Sequence, residues 1–243
     1  MILYPAIDIR GGKAVRLTHG RFDAETVYND DPLAAARSWV DAGARFLHVV
    51  DLDGAKAGEP ASIEHLGRIV AGTGVPVQYG GGLRSVGAVR DALRAGAERV
   101  IVGTAALRDV DFLDEILAAY GPRVVVSVDV RGGKIATAGW TEVTDMPAAD
   151  AIGRLHDRGV ASFVYTDADR DGALEGPSLE DVAAIAGAVR GHFLYAGGVG
   201  RLEHLRALRG LRQVNLSGVI VGKALYERRF TIAEAQAALD GRG

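Results

Sequence analysis

The sequence predicts a closed (β/α)8 barrel, the TIM-barrel architecture, built from two repeated half-barrels. Three observations carry this reading. Short runs of valine, isoleucine and leucine alternate eight times with longer, alanine-rich amphipathic stretches. The short runs are uniformly apolar, as strands are when a parallel sheet is buried on both faces. The pattern of the first half returns in the second at offsets of 116 to 121 residues, about half of the 243-residue chain. An open doubly wound sheet shares the alternation. It gains nothing from an internal repeat, whereas eight strands closing on themselves do.

The elements follow in order. The first strand is expected over 1–9, an apolar run that meets Asp8 and breaks at Gly11-Gly12. Helix 32–42 opens with Asp31 as N-cap and Pro32 at its first position, where proline's fixed φ suits a helix start. Strand 46–51 precedes helix 62–71, and strand 75–79 precedes helix 85–95, which Ser85 caps. Strand 99–102 and helix 109–120 complete the first half. The second half repeats the rhythm, with strands at 124–130, 162–166, 192–196 and 218–221 and helices at 147–158, 178–189, 201–208 and 231–239. No linker, charge block or low-complexity tract interrupts it. One domain is therefore expected over 1–243, with half-repeats of about 1–121 and 122–243.

Composition bounds the function. The chain is 48% hydrophobic and 24% charged, with a net charge of −3. No basic field invites nucleic acid or an anionic membrane, so an anionic ligand must be held locally. There is no cysteine, which removes disulfides, thiolate metal sites and a cysteine nucleophile. The N-terminal apolar run is too short for a signal peptide and lacks a basic start. No apolar run approaches the ~20 residues of a membrane span. A cytoplasmic protein is expected.

The repeat places the chemistry. Ile7-Asp8-Ile9-Arg10-Gly11-Gly12-Lys13 returns as Val128-Asp129-Val130-Arg131-Gly132-Gly133-Lys134. Barrel active sites sit at the C-terminal ends of the strands, and a twofold repeat sets Asp8 and Asp129 on opposite sides of that mouth. Two carboxylates facing one substrate can divide acid and base work when their surroundings push their pKa values apart. A single aspartate before two glycines could equally well serve only its turn; the matched pair argues for chemistry. Glycine turns form a second pair. Gly81-Gly82 and Gly103-Thr104 follow strands three and four, and Gly197-Gly198 and Gly222-Lys223 follow strands seven and eight. Such turns bring backbone N–H groups close to an anion at a helix N-terminus. Two symmetric pairs imply a ligand with a phosphate at each end. The acidic loops around Asp51-Leu52-Asp53-Gly54 and Asp167-Ala168-Asp169 lack calcium-loop spacing. They are read as binding sugar hydroxyls or orienting the catalytic pair, with no metal. Trp140, on the loop after strand five, could stack on a heterocycle or pack on the rim.

The combined motifs carry a family resemblance. Pro5-Ala6-Ile7-Asp8, Gly12-Lys13-Ala14-Val15-Arg16-Leu17, His48-Val49-Val50-Asp51-Leu52-Asp53, Gly80-Gly81-Gly82-Leu83-Arg84, Val102-Gly103-Thr104-Ala105, Gly139-Trp140, Asp171-Gly172 and Val221-Gly222-Lys223-Ala224-Leu225 occur in this order across the chain. They resemble the phosphoribosylformimino-aminoimidazole carboxamide ribotide isomerases of histidine biosynthesis. The resemblance implies a doubly phosphorylated ribonucleotide substrate, an Amadori rearrangement and no cofactor. It makes Asp8 the general base and Asp129 the general acid, adds Thr166 and Asp171 to the catalytic set, and leaves open whether Asp171 is the proton donor. It adds Arg16, Trp140 and Gly172 to the substrate-binding set. A monomer is expected. The cyclase relative should carry a cysteine where Ala6 stands and a lysine where Arg16 stands. A bifunctional relative that also serves tryptophan synthesis should carry serine for Gly80 and arginine for Ala138, yet the stretch around Lys223-Ala224-Leu225-Tyr226 and Arg228-Arg229-Phe230-Thr231 resembles it. A non-catalytic bis-phosphate binder is the reading of another class.

Overall fold

The protein is described by a computed structural model covering residues 1–18, 21–137, 139–140 and 142–242, with backbone alone at 18 and 21–23. Eight parallel strands close into a barrel. Going round, they are β1 (Ile2–Arg10), β4 (Leu47–Asp51), β5 (Val77–Gly80), β6 (Arg99–Val102), β7 (Val124–Arg131), β10 (Ser162–Asp167), β11 (His192–Ala196) and β12 (Leu216–Val221), with β12 pairing back to β1. In this ring β7 is four strands from β1 in either direction. Asp8 and Asp129 therefore stand on diametrically opposite staves.

The strands bury both faces, as their composition requires. On β1 the alternation sends Leu3, Ile7 and Ile9 outward to the helices, and Tyr4 and Ala6 inward. Asp8 follows in the inward series at the top. On β7, Val124, Val126, Val128 and Val130 face the helices and Val125 faces the interior, so Ser127 and Asp129 point inward above it. The interior is packed rather than open. Arg99 lies over the rings of Tyr4 and Phe46, at 5.4 and 4.9 Å from their centroids. It also donates to Gln78 Oε1 at 2.9 Å and to the Tyr4 hydroxyl at 3.0 Å. That plug is the floor on which the upper layer of side chains rests.

The major helices are α1 (Pro32–Asp41), α3 (Ile63–Thr73), α4 (Val86–Arg94), α6 (Val110–Tyr120), α7 (Ala148–Asp157), α8 (Leu179–Ala188), α9 (Leu202–Gly210) and α11 (Ile232–Asp240). Asp31 caps α1 through a 3.1 Å bond from Leu33 N, and Ser85 caps α4 through Ala88 N, both as the sequence suggests. Strand β5 starts two residues later than expected, after Pro76, which can donate no ladder hydrogen bond.

Additional elements decorate the mouth. Short helices α2 (Leu52–Ala57), α5 (Thr104–Arg108) and α10 (Lys223–Tyr226) follow β4, β6 and β12. Hairpins extend two opposite strands. Strand β2 (Lys13–Thr18) folds back on β1 and pairs with β3 (Arg21–Asn29), while β8 (Lys134–Thr137) folds back on β7 and pairs with β9 (Glu142–Pro147). The sequence reading saw only tight turns here. Gly11 and Gly12 have φ of +53° and +75°, and Gly132 and Gly133 have +55° and +77°. These are two-residue turns with positive φ at both centres, the form that suits strand twist in a hairpin. A glycine pair between alternating strands was the signal for them.

Candidate active site

Asp8 is nearly buried, at 7% exposure. Its backbone lies between Val15 of β2 and Val50 of β4. The hairpin turn that follows it is gripped from the side, because Asp53 Oδ2 accepts the Gly11 N–H at 2.6 Å. The same hairpin brings Arg16 round so that its Nη1 meets Asp8 Oδ2 at 2.8 Å. Burial pushes the Asp8 carboxyl up to about 6; Arg16 pulls it down and the neighbouring Asp171 charge pushes it up again. A carboxylate of this kind ionises near neutrality and yet holds a proton more tightly than an exposed aspartate.

On the opposite stave Asp129 Oδ1 accepts from the Ser127 hydroxyl at 2.7 Å. Thr166, 8% exposed, lies level with Asp129 on the adjoining β10. The hairpin beyond Asp129 is held as its partner is: Asp169 Oδ2 accepts the Gly132 N–H at 2.8 Å. Asp53 and Asp169 therefore brace the turns that carry the catalytic candidates.

Asp51 and Asp167 serve the glycine loops. Asp51 is fully buried and accepts from Gly54 N, Ala61 N, Ser62 N and the Tyr79 hydroxyl, at 2.7 to 2.8 Å. These bonds, all to the protein itself, replace the expected bonding to sugar hydroxyls with a structural role. The glycine loops themselves match closely. Gly81 and Gly197 have φ of +114° and +116°, and Gly82 and Gly198 have +72° and +69°. A Cβ on Gly81 would collide with the Asp51 carbonyl, and one on Gly197 would lie 2.7 Å from the Asp167 carbonyl. Only glycine fits here. Gly103 and Gly222 likewise stand at the N-caps of α5 and α10.

The second-half loops and the first-half hairpin enclose one pocket. Arg16, Asp171, Gly172, Gly197, Gly198, Gly222 and Lys223 all line it, with Leu174, Val199, Ile220 and Val221. The Lys223 ammonium donates to the Gly172 carbonyl at 3.0 Å. Seven candidates from distant parts of the sequence thus meet in one place. The first-half loop residues, Gly81, Gly82, Gly103 and Thr104, directly follow β5 and β6 across the mouth. Trp140 sits in the β8–β9 connection with φ of +69°, a conformation rare for an aromatic residue, and Arg131 Nη1 holds its carbonyl at 3.0 Å. Ala138, which bears on the bifunctional reading, lies outside the described residues. Among the described residues no three His, Asp or Glu side chains cluster to hold a metal ion, and no helix is long and apolar enough to cross a membrane.

The halves differ where chemistry would need them to. The second-half counterpart of Arg16 is Thr137, buried beside Arg108 and Glu142. Tyr79 has its hydroxyl bonded to Asp51, while the matching Tyr195 hydroxyl has no partner among the described residues and Asp167 pairs with Arg170 at 3.3 Å. Ser127 escaped the sequence reading, whereas Asp53 and Asp169 lie in the acidic loops it reads as binding sugar hydroxyls or orienting the catalytic pair. The repeat itself was the available signal for the bracing pair, since Asp53 and Asp169 share the 116-residue offset of Asp51 and Asp167.

The family model described as histidine biosynthesis protein matches residues 2–231. The chain belongs to the histidine biosynthesis protein family. Relatives within it are similar over nearly their whole length. A protein of Desulforudis audaxviator is 48% identical over 237 residues, covering 98% of this chain and 90% of its own. One of Brevibacillus brevis is 47% identical over 241 residues, covering 99% and 97%. Both are named 1-(5-phosphoribosyl)-5-((5-phosphoribosylamino)methylideneamino)imidazole-4-carboxamide isomerase. A Ruegeria protein with that name and the suffix 2 is 45% identical over 241 residues, covering 99% and 100%. The histidine biosynthesis family thus bears out the resemblance read from the motifs, and the closed barrel of repeated halves bears out the fold.

Proposed function

We propose that this chain is the histidine-pathway isomerase its relatives are named for, converting the phosphoribosylformimino-aminoimidazole carboxamide ribonucleotide to its phosphoribulosyl form. The observation that carries the reading is the buried Asp8 beside Arg16, opposite Asp129, in a mouth edged by two matching pairs of glycine loops. Those loops hold the phosphates at the two ends of the substrate. Thr166, level with Asp129, and Asp171, beside Asp8, complete the polar lining of the reacting sugar's site.

The reaction is an internal redox exchange. An acid protonates the furanose ring oxygen, and the C1–O bond breaks to leave a Schiff base at C1. Asp8 removes the C2 proton, and its electron pair forms the C1–C2 double bond of an enolamine. The enolamine then takes a proton at C1 as the C2 hydroxyl becomes a carbonyl. C1 is reduced, C2 is oxidised, and the electrons balance within the substrate. Asp129 is the acid of this reading, its carboxyl oriented by Ser127; Asp171 is the alternative donor.

A turnover assay with purified protein tests this. Conversion of the formimino substrate is expected, and its absence together with bis-phosphate binding would point to a non-catalytic binder. Phosphoribosylanthranilate serves as the second substrate in the same assay, because the Lys223–Thr231 stretch favours the bifunctional reading. Robust turnover of both would establish that reading.

The pH profile follows from Asp8. The base works as a carboxylate, so the acid limb of kcat/KM falls as the pH drops through about 6. Below that it loses roughly tenfold per unit, because kcat/KM reports ionisation of the free enzyme. Substrate phosphates ionise in the same range, and a 31P titration of free substrate separates the two. An acid limb near 4 would contradict a desolvated base.

A further inference from the structure

We propose that Arg16 is a positioning residue that reports phosphate occupancy of the second-half pocket to Asp8, raising the basicity of Asp8 only when substrate is seated. The inference rests on the phosphate reading of that pocket and goes beyond it.

Four observations converge on this one side chain. Its Nη1 is bonded to Asp8 at 2.8 Å. Its Nε is buried and has no hydrogen-bond partner among the described residues. Its guanidinium lines the pocket with Gly197, Gly198, Gly222 and Lys223. It also packs onto the backbone at the N-cap of α10, where a Cβ on Gly222 would fall 2.5 Å from Arg16 Cζ and 2.8 Å from Nε. Among the described residues the opposite clamp has no such tenant, since a Cβ on Gly103 would meet nothing within 4 Å. The guanidinium is thus the wall shared by the anion pocket and the base. Its planar fork can serve two anions from different edges.

A buried donor without an acceptor is costly, and a phosphate in the pocket supplies one. Once Arg16 shares its charge with a dianion, its hold on Asp8 weakens and the carboxylate becomes a stronger base. The phosphate involved is that of the reacting sugar, because one side chain spans the base and the pocket. An empty site keeps Asp8 paired and less basic. Other titratable or charged groups facing the pair are Asp171 from the loop after β10, His48 from β4, Tyr28 from β3 and Tyr226 from α10. His48 is held neutral, its pKa lowered by burial and by Arg16 and Arg99, so it does not compete for the proton.

The test is an NMR titration of the full chain, following the Asp8 carboxyl carbon and the Arg16 Nε–H with and without saturating inorganic phosphate. Sulfate, whose charge is fixed over this range, is the second probe. Each anion is expected to shift the Gly198 and Gly222 amides, move the Arg16 Nε–H downfield and raise the Asp8 pKa by about one unit. In Arg16→Gln the anion-free Asp8 pKa starts near the anion-bound value of the parent, and added anion moves it little. Gly222→Ala, which displaces the guanidinium without removing it, is expected to do the same and serves if Arg16→Gln fails to fold. If the amides respond but Arg16 Nε–H and Asp8 do not, the relay is wrong and the phosphate site stands. An Asp8 shift as large in Arg16→Gln as in the parent means the anion acts directly through space, which also overturns the relay. No amide response to either anion overturns the phosphate reading and the relay with it.

Discussion

Asp8→Asn is expected to lower kcat by about 10²–10⁴-fold, the usual contribution of a positioned base. The amide keeps the shape of the carboxylate and an oxygen that can accept from Arg16, so the hairpin and the Arg16 wall stay in place. What disappears is the capacity to take the C2 proton. Stability moves the other way. The folded-state pKa of Asp8 is raised from 3.8 to about 6, so the parent loses stability as pH rises through that window. An amide never ionises, and the variant at pH 8 should melt no lower than the parent. Steady-state turnover and thermal unfolding on the same preparation check both halves. Turnover within a few-fold of the parent would remove Asp8 from the role of base.

The second large effect is on the scaffold. Asp51→Ala is expected to cost at least about 3 kcal/mol, since each buried donor left without an acceptor costs about 1–3 kcal/mol. The substitution orphans the N–H groups of Gly54, Ala61 and Ser62 together with the Tyr79 hydroxyl. For a domain of this size that is a fall in Tm of about 6–12 °C. The damage reaches the mouth, because the Asp51 carbonyl abuts Gly81 and the loop it closes abuts Gly82. KM should therefore rise while the pH profile keeps its shape. Urea unfolding gives the first number and steady-state kinetics the second. A loss below about 1 kcal/mol would mean that water replaces the carboxylate at small cost.

Much of this was legible in the sequence, for identifiable reasons. Strand and helix order follows from hydrophobic period, and closure follows from the internal repeat. The facing aspartates follow from closure, since a half-repeat of four strands puts equivalent tips across the ring. The hairpins were missed because residues 13–29 and 134–147 carry charged and polar side chains that hide their pairing. The roles within the acidic loops divide for a reason a sequence does not show. A carboxylate that accepts four protein hydrogen bonds and one that meets solvent look alike in a sequence. Burial, not residue type, marks Asp51 as structural. The ion pair of Asp8 with Arg16 needs the β1–β2 turn to be a hairpin, so it could not be seen until the turn was.

The near-identity of the two glycine clamps has a consequence for binding sense. A ligand with like groups at both ends can enter such a mouth forwards or reversed, and the backbone alone offers no preference. A reversed ligand is held but cannot react, and non-productive binding lowers kcat and KM together while leaving kcat/KM unchanged. Discrimination must come from what the halves do not share. Arg16 fills one wall where Thr137 stands in the other, and Asp171 brings an extra charge to the same side. These two residues make the mouth polar in the directional sense, so that a nearly symmetric vessel accepts an asymmetric molecule one way round.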